Sequence, residues 1–320
     1  MLPTILIIGS LNTDLVSTAP RLPAAGETLL SSGFHIAPGG KGANQAVACA
    51  RLSSRASLSV RMCGAVGNDS FAAPLTAALS ASGVDTTLVR AVDGPTGTAV
   101  IIVDEASGEN RILVHPGANA AVRAAELQRE EEEQHAHMWD GVKALVLQLE
   151  VPADTAVWAL RRARSKGITT VFNPAPALES GLDTCWKDVD WLVVNETEAA
   201  MLTGVHVREL DAADGAVAAA EELRGRGCGA VVVTLGGRGC YWCDKAGNSG
   251  WQGVTVGKEE VVDTTGAGDT FVGALAVAVV EGKSAGEAVE WASRAAGAAV
   301  TKRGAMDGVP WRHEIEATAV

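Results

Sequence analysis

A carboxylate and two closely spaced glycines lie together at the predicted start of a helix. Residues 263–271 read DTTGAGDTF and precede a long stretch rich in Ala and Val. Gly266 and Gly268 allow the backbone to approach a ligand closely. The amides of Ala267, Gly268 and Asp269 would then point at one spot, with the positive end of the helix dipole behind them. Such a site binds anions and stabilises charge on a transferring phosphoryl group, with Asp269 as the base for a hydroxyl. A capped helix start without a ligand is the alternative.

A second Gly-rich segment, residues 39–45 (GGKGANQ), also opens a predicted helix. Its glycines permit close backbone approach, and Lys41 and Asn44 offer hydrogen-bond donors to hydroxyl groups. Asn12 and Asp14 follow the first predicted strand and supply the mixture of donors and acceptors that a vicinal diol requires. The sequence therefore favours a site for a polyhydroxylated ligand, with a plain Gly-rich turn as the alternative.

Short apolar stretches alternate with amphipathic ones along nearly the whole chain. The predicted strands are 5–8, 58–63, 145–149, 169–172, 191–194, 231–235 and 260–262. The predicted helices are 42–52, 71–82, 153–166, 213–226, 269–281 and 285–302. Strands that are apolar throughout indicate a parallel sheet covered on both faces. We therefore predict an α/β fold, a three-layer doubly wound sandwich that binds ligands beyond the carboxyl ends of its mainly parallel strands.

Two segments interrupt this alternation with β-branched residues and turns. Residues 99–103 and 111–114, joined across 105–109, are typical of a β-hairpin. We predict a small β-sheet lid formed by residues 14–37 and 96–115, which projects from a nucleotide- and substrate-binding core of residues 1–13, 38–95 and 116–320.

Composition limits the classes of partner. The 320 residues carry 38 acidic and 26 basic side chains, a formal net charge of −12, which disfavours nucleic acid and anionic membranes. No apolar stretch is long enough to span a membrane, and the first nine residues read as a strand rather than a signal peptide. Six scattered cysteines fit a reducing compartment, so we expect a cytoplasmic protein. Neither a P-loop nor a dinucleotide-binding GxGxxG motif is present.

Four segments together resemble the ribokinase (PfkB-type) family of sugar kinases. They are residues 9–14 (GSLNTD), 39–45, 195–198 (NETE) and 263–271, and the resemblance runs from residue 5 to about residue 311. It implies that the γ-phosphate of ATP is transferred to the O5 hydroxyl of D-ribose, giving D-ribose 5-phosphate. It also implies a requirement for Mg²⁺ and activation by K⁺. Members of the family commonly form dimers through two such lids, and exposed strand edges carry unpaired backbone groups that can bond to another chain. We therefore expect a homodimer formed through the lid.

The resemblance also implies a role for each matching position. The sugar would be bound by Asn12, Asp14, Gly40, Lys41, Asn44, Glu150 and Asp269. Asp269 would be the catalytic base, and Gly266, Ala267 and Gly268 the anion hole. ATP would be bound by Asn195, Thr234, Gly236, Gly239, Gly268 and Ser293. Glu198 would hold Mg²⁺ through water, and the K⁺ loop would comprise Asp263, Thr265, Ala299, Lys302, Gly304 and Gly308, mostly through backbone carbonyls.

Two positions depart from the family pattern. Gly308 stands where these enzymes often carry Ser, which removes any side-chain ligand for the cation, and Ser293 stands where some relatives place His beside adenine. Two other functions stay open: a sister kinase acting on deoxyribose, fructose, a nucleoside or a sugar acid, and a non-catalytic sugar-binding protein on the same fold.

Overall fold

The computed structural model describes residues 2–54, 56–107, 110–133, 137–178, 181–182 and 184–317. Its strands are Thr4–Ile8 (β1), Asn12–Ala19 (β2), Gly33–Gly39 (β3), Ser59–Gly67 (β4), Asp85–Val92 (β5), Gly97–Asp104 (β6), Asn110–His115 (β7), Val142–Leu147 (β8), Thr169–Phe172 (β9), Trp191–Asn195 (β10), Ala230–Thr234 (β11), Cys240–Asp244 (β12) and Ser249–Gln252 (β13). Its α-helices are Lys41–Leu52 (α1), Ala72–Ser82 (α2), Ala124–Glu133 (α3), Ala153–Ser165 (α4), Glu196–Thr203 (α5), Ala213–Gly225 (α6), Ala267–Val280 (α7), Ala285–Val300 (α8) and Arg312–Ala317 (α9).

A large central sheet forms the middle layer. Within the described residues its order is β13-β12-β11-β10-β9-β8-β1-β4-β5, and its strands are parallel from β5 across to β11. Strands β12 and β13 are antiparallel at one edge. The predicted α/β class with a mainly parallel sheet is confirmed.

Both faces of the central sheet are covered, which explains why its strands are apolar throughout. Leu6 and Ile8 of β1 contribute to a core with α3, α4, α5 and α6 on one face, whereas Ile5 and Ile7 contribute to a core with α1, α2, α7, α8 and α9 on the other. All four side chains are fully buried, each stabilising the fold by roughly 1.5–3 kcal/mol. The predicted three-layer sandwich is therefore confirmed.

The direction in which the chain is wound reverses beside β1. Strands β4 and β5 lie on one side of β1, while β8 to β11 lie on the other. In open α/β sheets ligands bind in the crevice outside the carboxyl ends of the strands at such a switch point. The residues that follow β1 and β8 therefore border the expected ligand crevice.

A second sheet, which we call the small sheet, has the strand order β3-β2-β6-β7. The predicted hairpin corresponds to antiparallel β6 and β7, although residues 108 and 109 of its connection lie outside the described residues. The small sheet begins at Asn12, two positions before the predicted lid boundary, because Asn12 and Thr13 pair with Gly39 and Pro38.

Two local features differ from the sequence-based expectations. The predicted strand at 260–262 is wrong: Lys258–Glu260 forms a 3-10 turn, and the amides of Val262 and Asp263 bond to the carbonyl of Val300 at the end of α8 rather than to a sheet. Strands β5 and β13, the edges of the central sheet, were not predicted.

In the described part of the chain, no helix combines the length and apolar character needed to cross a membrane.

Candidate active site

Glu150 joins the two strands that flank the switch point. Its Oε2 accepts hydrogen bonds from Ser10 Oγ at 2.6 Å, Asn12 Nδ2 at 3.3 Å and the Lys41 amide at 3.0 Å. Ser10 in turn accepts a bond from the amide of Gly42 at 3.2 Å. One carboxylate oxygen thus fixes the start of α1 against the end of β1, and Glu150 Oε1 has no partner among the described residues.

Asn119, which sequence reasoning missed, fixes the side chain of Asn12. Asn119 Nδ2 donates to Asn12 Oδ1 at 2.7 Å and to the carbonyl of Leu11 at 3.2 Å, while its Oδ1 accepts the Leu11 amide at 2.9 Å. Asn119 is 1% exposed, so it does not reach a ligand. The donor end of the Asn12 amide is thereby fixed toward Glu150.

The Gly-rich segment brings α1 into backbone contact with β1. A Cβ on Gly42 would lie 2.5 Å from the Ser10 nitrogen, and Gly40 adopts φ of +91°, where a side chain is strained. A Cβ on Gly39 would collide with the carboxylate of Asp14. Glycines are therefore required here so that Asp14 and Lys41 can lie close to the residues after β1.

Asp269, the predicted base, is 8% exposed and is held by two residues of α1. Asn44 Nδ2 donates to its Oδ2 at 3.0 Å, and Gln45 Nε2 donates to its Oδ1 at 2.9 Å. A carboxylate oxygen has two acceptor sites, so each oxygen of Asp269 retains one for a further donor. The structure therefore leaves Asp269 free to accept a proton from a bound hydroxyl.

Charge is concentrated around Lys41. Burial lowers the pKa of Lys41, but Asp269, Glu150, Glu198 and Asp14 together outweigh burial and raise it above its ordinary value. Burial also raises the pKa of Asp14 to about 7, with further increases from Glu150 and Asp269 and an opposing effect of Lys41. Lys41 thus lies among four carboxyl groups, which keep it protonated.

The start of α7 has the geometry of an anion site. Gly266 precedes the helix with φ of +77°, and no side chain caps the helix. The amides of Gly268 and Asp269 have no acceptor among the described residues, whereas that of Ala267 bonds to Thr264 O at 3.3 Å. Of the three predicted donors, two are therefore available, beside the carboxylate of Asp269.

The predicted Mg²⁺ motif also has a structural role. Asn195 and Glu198 form a capping box at the start of α5, with Asn195 N to Glu198 Oε2 at 2.9 Å and Glu198 N to Asn195 Oδ1 at 2.8 Å. Burial raises the pKa of Glu198, and Asp269 adds to this, while the Asn195 amide and Lys41 oppose it. Glu198 is 8% exposed, and its electrostatic interactions with Lys41 and Asp269 place it in the same charged cluster.

The remaining predicted ATP residues follow β10 and β11. Thr234 ends β11 and donates to the carbonyl of Val194 at 3.3 Å. Gly236 and Gly239 adopt positive φ in the turn before β12, and a Cβ on Gly239 would collide with the carbonyl of Gln252. Ser293 is half-buried in α8, with its Oγ 3.9 Å from Cys240 Sγ.

The predicted K⁺ loop brings carbonyl oxygens together around Gly308. A Cβ on Gly308 would lie 2.5 Å from Gly304 O, 3.3 Å from Ala299 O and 3.7 Å from Arg303 O. Asp263 links the loop segments, since it accepts bonds from the amides of Thr265 and Gly304, both at 2.9 Å. The Lys302 ammonium pairs with Glu314 at 2.6 Å, so only the carbonyl of Lys302 could face a cation.

Four further buried polar residues border the site and were missed by sequence reasoning: Ser10, Gln45, Gln148 and Asn173. Ser10 and Gln45 lie inside the recognised motifs, so their position was a usable signal. Gln148 and Asn173 stand at the ends of strands β8 and β9, where a polar side chain after an apolar run was the available signal.

Comparison with known proteins gives a consistent result along the chain. Ribokinase of Schizosaccharomyces pombe is 37% identical over 322 residues, covering 98% of this chain and 96% of that protein. Deoxyribokinase of Salmonella typhi is 35% identical over 307 residues, covering 96% and 95%. The structure of Arabidopsis thaliana ribokinase complexed with ribose and ATP is 29% identical, with a TM-score of 0.85 and coverage of 99% and 98%.

The match to a family is equally extensive. Residues 3–312 match the family described as pfkB family carbohydrate kinase. Because this match spans nearly the whole chain and the relatives above are similar over nearly their full length, the chain belongs to the pfkB family of carbohydrate kinases.

Proposed function

We propose that this protein transfers the γ-phosphate of ATP to the O5 hydroxyl of D-ribose and gives D-ribose 5-phosphate. The observation that carries the proposal is the position of the Asp269 carboxylate beside the free amides of Gly268 and Asp269 at the start of α7. A base and an anion site are what phosphoryl transfer to an alcohol needs, because that reaction depends on alignment and charge neutralisation. The similarity to ribokinases supports ribose as the acceptor.

The proposed reaction is balanced by one proton transfer. The O5 oxygen forms a bond to the γ-phosphorus while the bond from that phosphorus to the bridging oxygen of ADP breaks. Asp269 accepts the O5 proton on the acceptor site that Asn44 and Gln45 leave open. The amides of Gly268 and Asp269 stabilise the charge on the phosphoryl oxygens.

Two unpartnered oxygen atoms support a sugar site next to this base. Asn44 Oδ1 is buried without a hydrogen-bond donor in the described structure, and Glu150 Oε1 likewise has none. Hydroxyl groups of a bound sugar would supply the missing donors. A site that bonds a hydroxyl discriminates strongly against an analogue that lacks it, so we expect ribose to be preferred to 2-deoxyribose.

We propose that ATP binds along Thr234, Gly236, Gly239 and Ser293, with Asn195 and Glu198 near its phosphates. The described residues contain no cluster of three or more His, Cys, Asp or Glu side chains suited to a metal ion. This fits Mg²⁺, which commonly keeps several waters and is held by substrate phosphates with one or two carboxylates. Glu198 would hold it through water, and Mg²⁺ would supply charge neutralisation at the phosphates.

We propose that K⁺ binds in the loop around Gly308. Support comes from the convergence of the carbonyls of Ala299 and Gly304, each of which accepts one backbone bond and retains a second lone pair. A bound K⁺ would offset the carbonyl dipoles and hold the segment that precedes α7. Because Gly308 has no side chain, all ligands from that position must be backbone atoms.

We propose that the small sheet acts as a lid and pairs two copies into a homodimer. Its strand register places Ile36, Leu15, Val100 and Leu113 side by side on the face opposite Asp14. Ile36, Val100 and Leu113 are 55%, 42% and 74% exposed. An apolar row of this kind across four strands is suited to a second copy of the same sheet.

We propose the cytoplasm as the location. None of the six cysteines forms a disulfide bond in the described structure and all are buried, and burial raises the pKa of Cys49, Cys63, Cys228, Cys240 and Cys243. Six cysteines that stay as thiols are typical of a reducing compartment.

A panel of acceptors tests the proposed function. The purified protein would be incubated with ATP and ribose, 2-deoxyribose, fructose, a nucleoside or a sugar acid, and ADP formation followed. We expect the highest kcat/KM for ribose, loss of activity with EDTA and a higher rate in K⁺ than in Li⁺. Preference for another acceptor would assign a sister kinase, and sugar binding without ADP formation would contradict the catalytic role.

A further inference from the structure

Gln45 lies directly behind the carboxylate of Asp269. Its side chain is fully buried, and both of its polar atoms bond to other side chains of the protein. Gln45 Nε2 donates to Asp269 Oδ1 at 2.9 Å and to Asn173 Oδ1 at 3.2 Å, and Gln45 Oε1 accepts from Gln148 Nε2 at 2.6 Å. One amide therefore connects α1, β8 and β9 with the first turn of α7.

A backbone carbonyl fixes the orientation of the Gln45 side-chain amide through Asn173. Asn173 Nδ2 donates to the carbonyl of Val193 at 3.0 Å, and a carbonyl can only accept. The side-chain oxygen of Asn173 must therefore face Gln45. Gln45 must then direct its NH₂ group toward both Asn173 and Asp269. The Gln45 oxygen is then left to accept from Gln148.

The network leaves one of its own atoms unsatisfied. Gln148 is fully buried and its Oε1 has no donor in the described structure; a Cβ on Gly9 would collide with this oxygen. Gln148 therefore takes part in this network through its NH₂ group, which donates to Gln45.

We propose that Gln45 is a positioning residue that holds one oxygen of the Asp269 carboxylate in place, with Gln148 and Asn173 fixing the Gln45 amide. This inference rests on the proposed function, in which Asp269 is the base. Asn44 holds the other oxygen and keeps one polar atom, Oδ1, without a donor among the described residues, whereas both polar atoms of Gln45 are bonded within the protein. Its loss should therefore slow the chemical step and leave ligand binding nearly unchanged.

The test compares Gln45→Met with Gln148→Met. Both replace a buried glutamine by an apolar side chain of similar length, but only Gln45→Met removes the donor to Asp269. We expect Gln45→Met to lower kcat about 10- to 100-fold, with the KM for ribose and for ATP within about threefold. Gln148→Met, which keeps that donor but frees the Gln45 oxygen that Gln148 holds, should lower kcat by a smaller factor than Gln45→Met does. Thermal midpoints would be measured for both, and rates taken well below them.

A double-mutant cycle separates positioning from general damage. In an Asp269→Asn background, Gln45→Met should have no further effect on kcat, because its target carboxylate is absent. Gln45→Asn, which withdraws the amide by one methylene group, carries the same expectations if Gln45→Met does not fold.

Normal kcat in the Gln45 variants, a raised KM at unchanged kcat, or an additive loss in the Asp269→Asn background would each overturn the inference while the proposed function stands. Normal turnover of Asp269→Asn itself would overturn both.

Discussion

Asn44 and Asp269 lie 225 positions apart in the chain and are joined by a 3.0 Å hydrogen bond from Nδ2 to Oδ2. The other polar atom of Asn44, Oδ1, is buried and has no donor among the described residues. Asn44 therefore holds the candidate base through its nitrogen and, in the proposed function, would offer its oxygen to a ligand hydroxyl. This contact links α1, which carries part of the Gly-rich segment, to α7, whose first turn carries the candidate anion site.

Gly268→Ala tests the anion site at the start of α7. A Cβ at this position meets nothing within 4 Å, and the residue is already helical, so the variant should fold with stability equal to or up to about 1 kcal/mol above the wild type. The methyl group would lie before the free amides, and we expect kcat to fall about 10-fold or more. Gly225→Ala, also in a helix with open space, is the control. Equal activity of the two variants would remove Gly268 from the anion site.

Glu150→Ala tests the sugar side of the crevice. The change removes the acceptor of Ser10, Asn12 and the Lys41 amide together with the free Oε1. We expect the KM for ribose to rise about 10-fold or more, because a lost hydrogen bond to a charged group costs about 1.5–3 kcal/mol. The KM for ATP should change much less. Glu290→Ala, at an exposed position of α8, is the control.

Asp14→Asn should change how the stability of the ligand-free protein depends on pH. The pKa of Asp14 is raised from 3.8 to about 7, first by burial and then by Glu150 and Asp269. At a pH between the two pKa values, Asp14 keeps its proton in the folded protein but has lost it in the unfolded chain. Asp14 therefore makes the free energy of unfolding fall as the pH rises toward 7. We expect the Asn variant to match the wild type near pH 4 and to exceed it at pH 8 by about 2 kcal/mol, roughly half of what the full difference in pKa represents, because solvent screens this half-buried carboxyl group.

Urea unfolding at several pH values provides that measurement. The relevant quantity is the difference in the free energy of unfolding between the variant and the wild type, which should grow across the window. A difference that stays constant with pH would show that Asp14 ionises normally in the folded protein.

Leu113→Lys tests the proposed dimer. Leu113 is 74% exposed on the apolar face of the small sheet, where a lysine would place a charge between two copies. We expect light scattering to give a dimer for the wild type and a monomer for the variant. Val207→Lys, which is 43% exposed outside the small sheet, should stay dimeric. A wild type that is monomeric at assay concentration would contradict the proposal.

The fold could be predicted where burial on both faces makes a strand apolar throughout. Strands β1, β9 and β10 were placed within one residue of their bounds for this reason. Strand β5, with the sequence DTTLVRAV, and β13, with SGWQ, lie at the edges of the sheet, where half-exposed strands carry no such pattern. Two adjacent valines at 261 and 262 suggested a strand, yet both are exposed in a loop held by α8.

The candidate site could be predicted only in part. Glycines and carboxylates within a motif predict a ligand from the motif alone, so Asp269, Gly268 and Lys41 could be proposed as site residues from the sequence. Asn119 and Gln148 act through contacts with residues more than 100 positions away, and although Gln148 follows an apolar run, no local pattern encodes the partner that either residue contacts. Their roles depend on the switch point, which only the three-dimensional strand order shows.

The most direct test of the central claim is the turnover of Asp269→Asn with ribose and saturating ATP. The amide is nearly isosteric but cannot accept the hydroxyl proton in the same way, so we expect kcat to fall about 100-fold or more, with the KM for ribose changed only severalfold. Turnover within a few-fold of the wild type, in a variant shown to be folded, would contradict the assignment of Asp269 as the base.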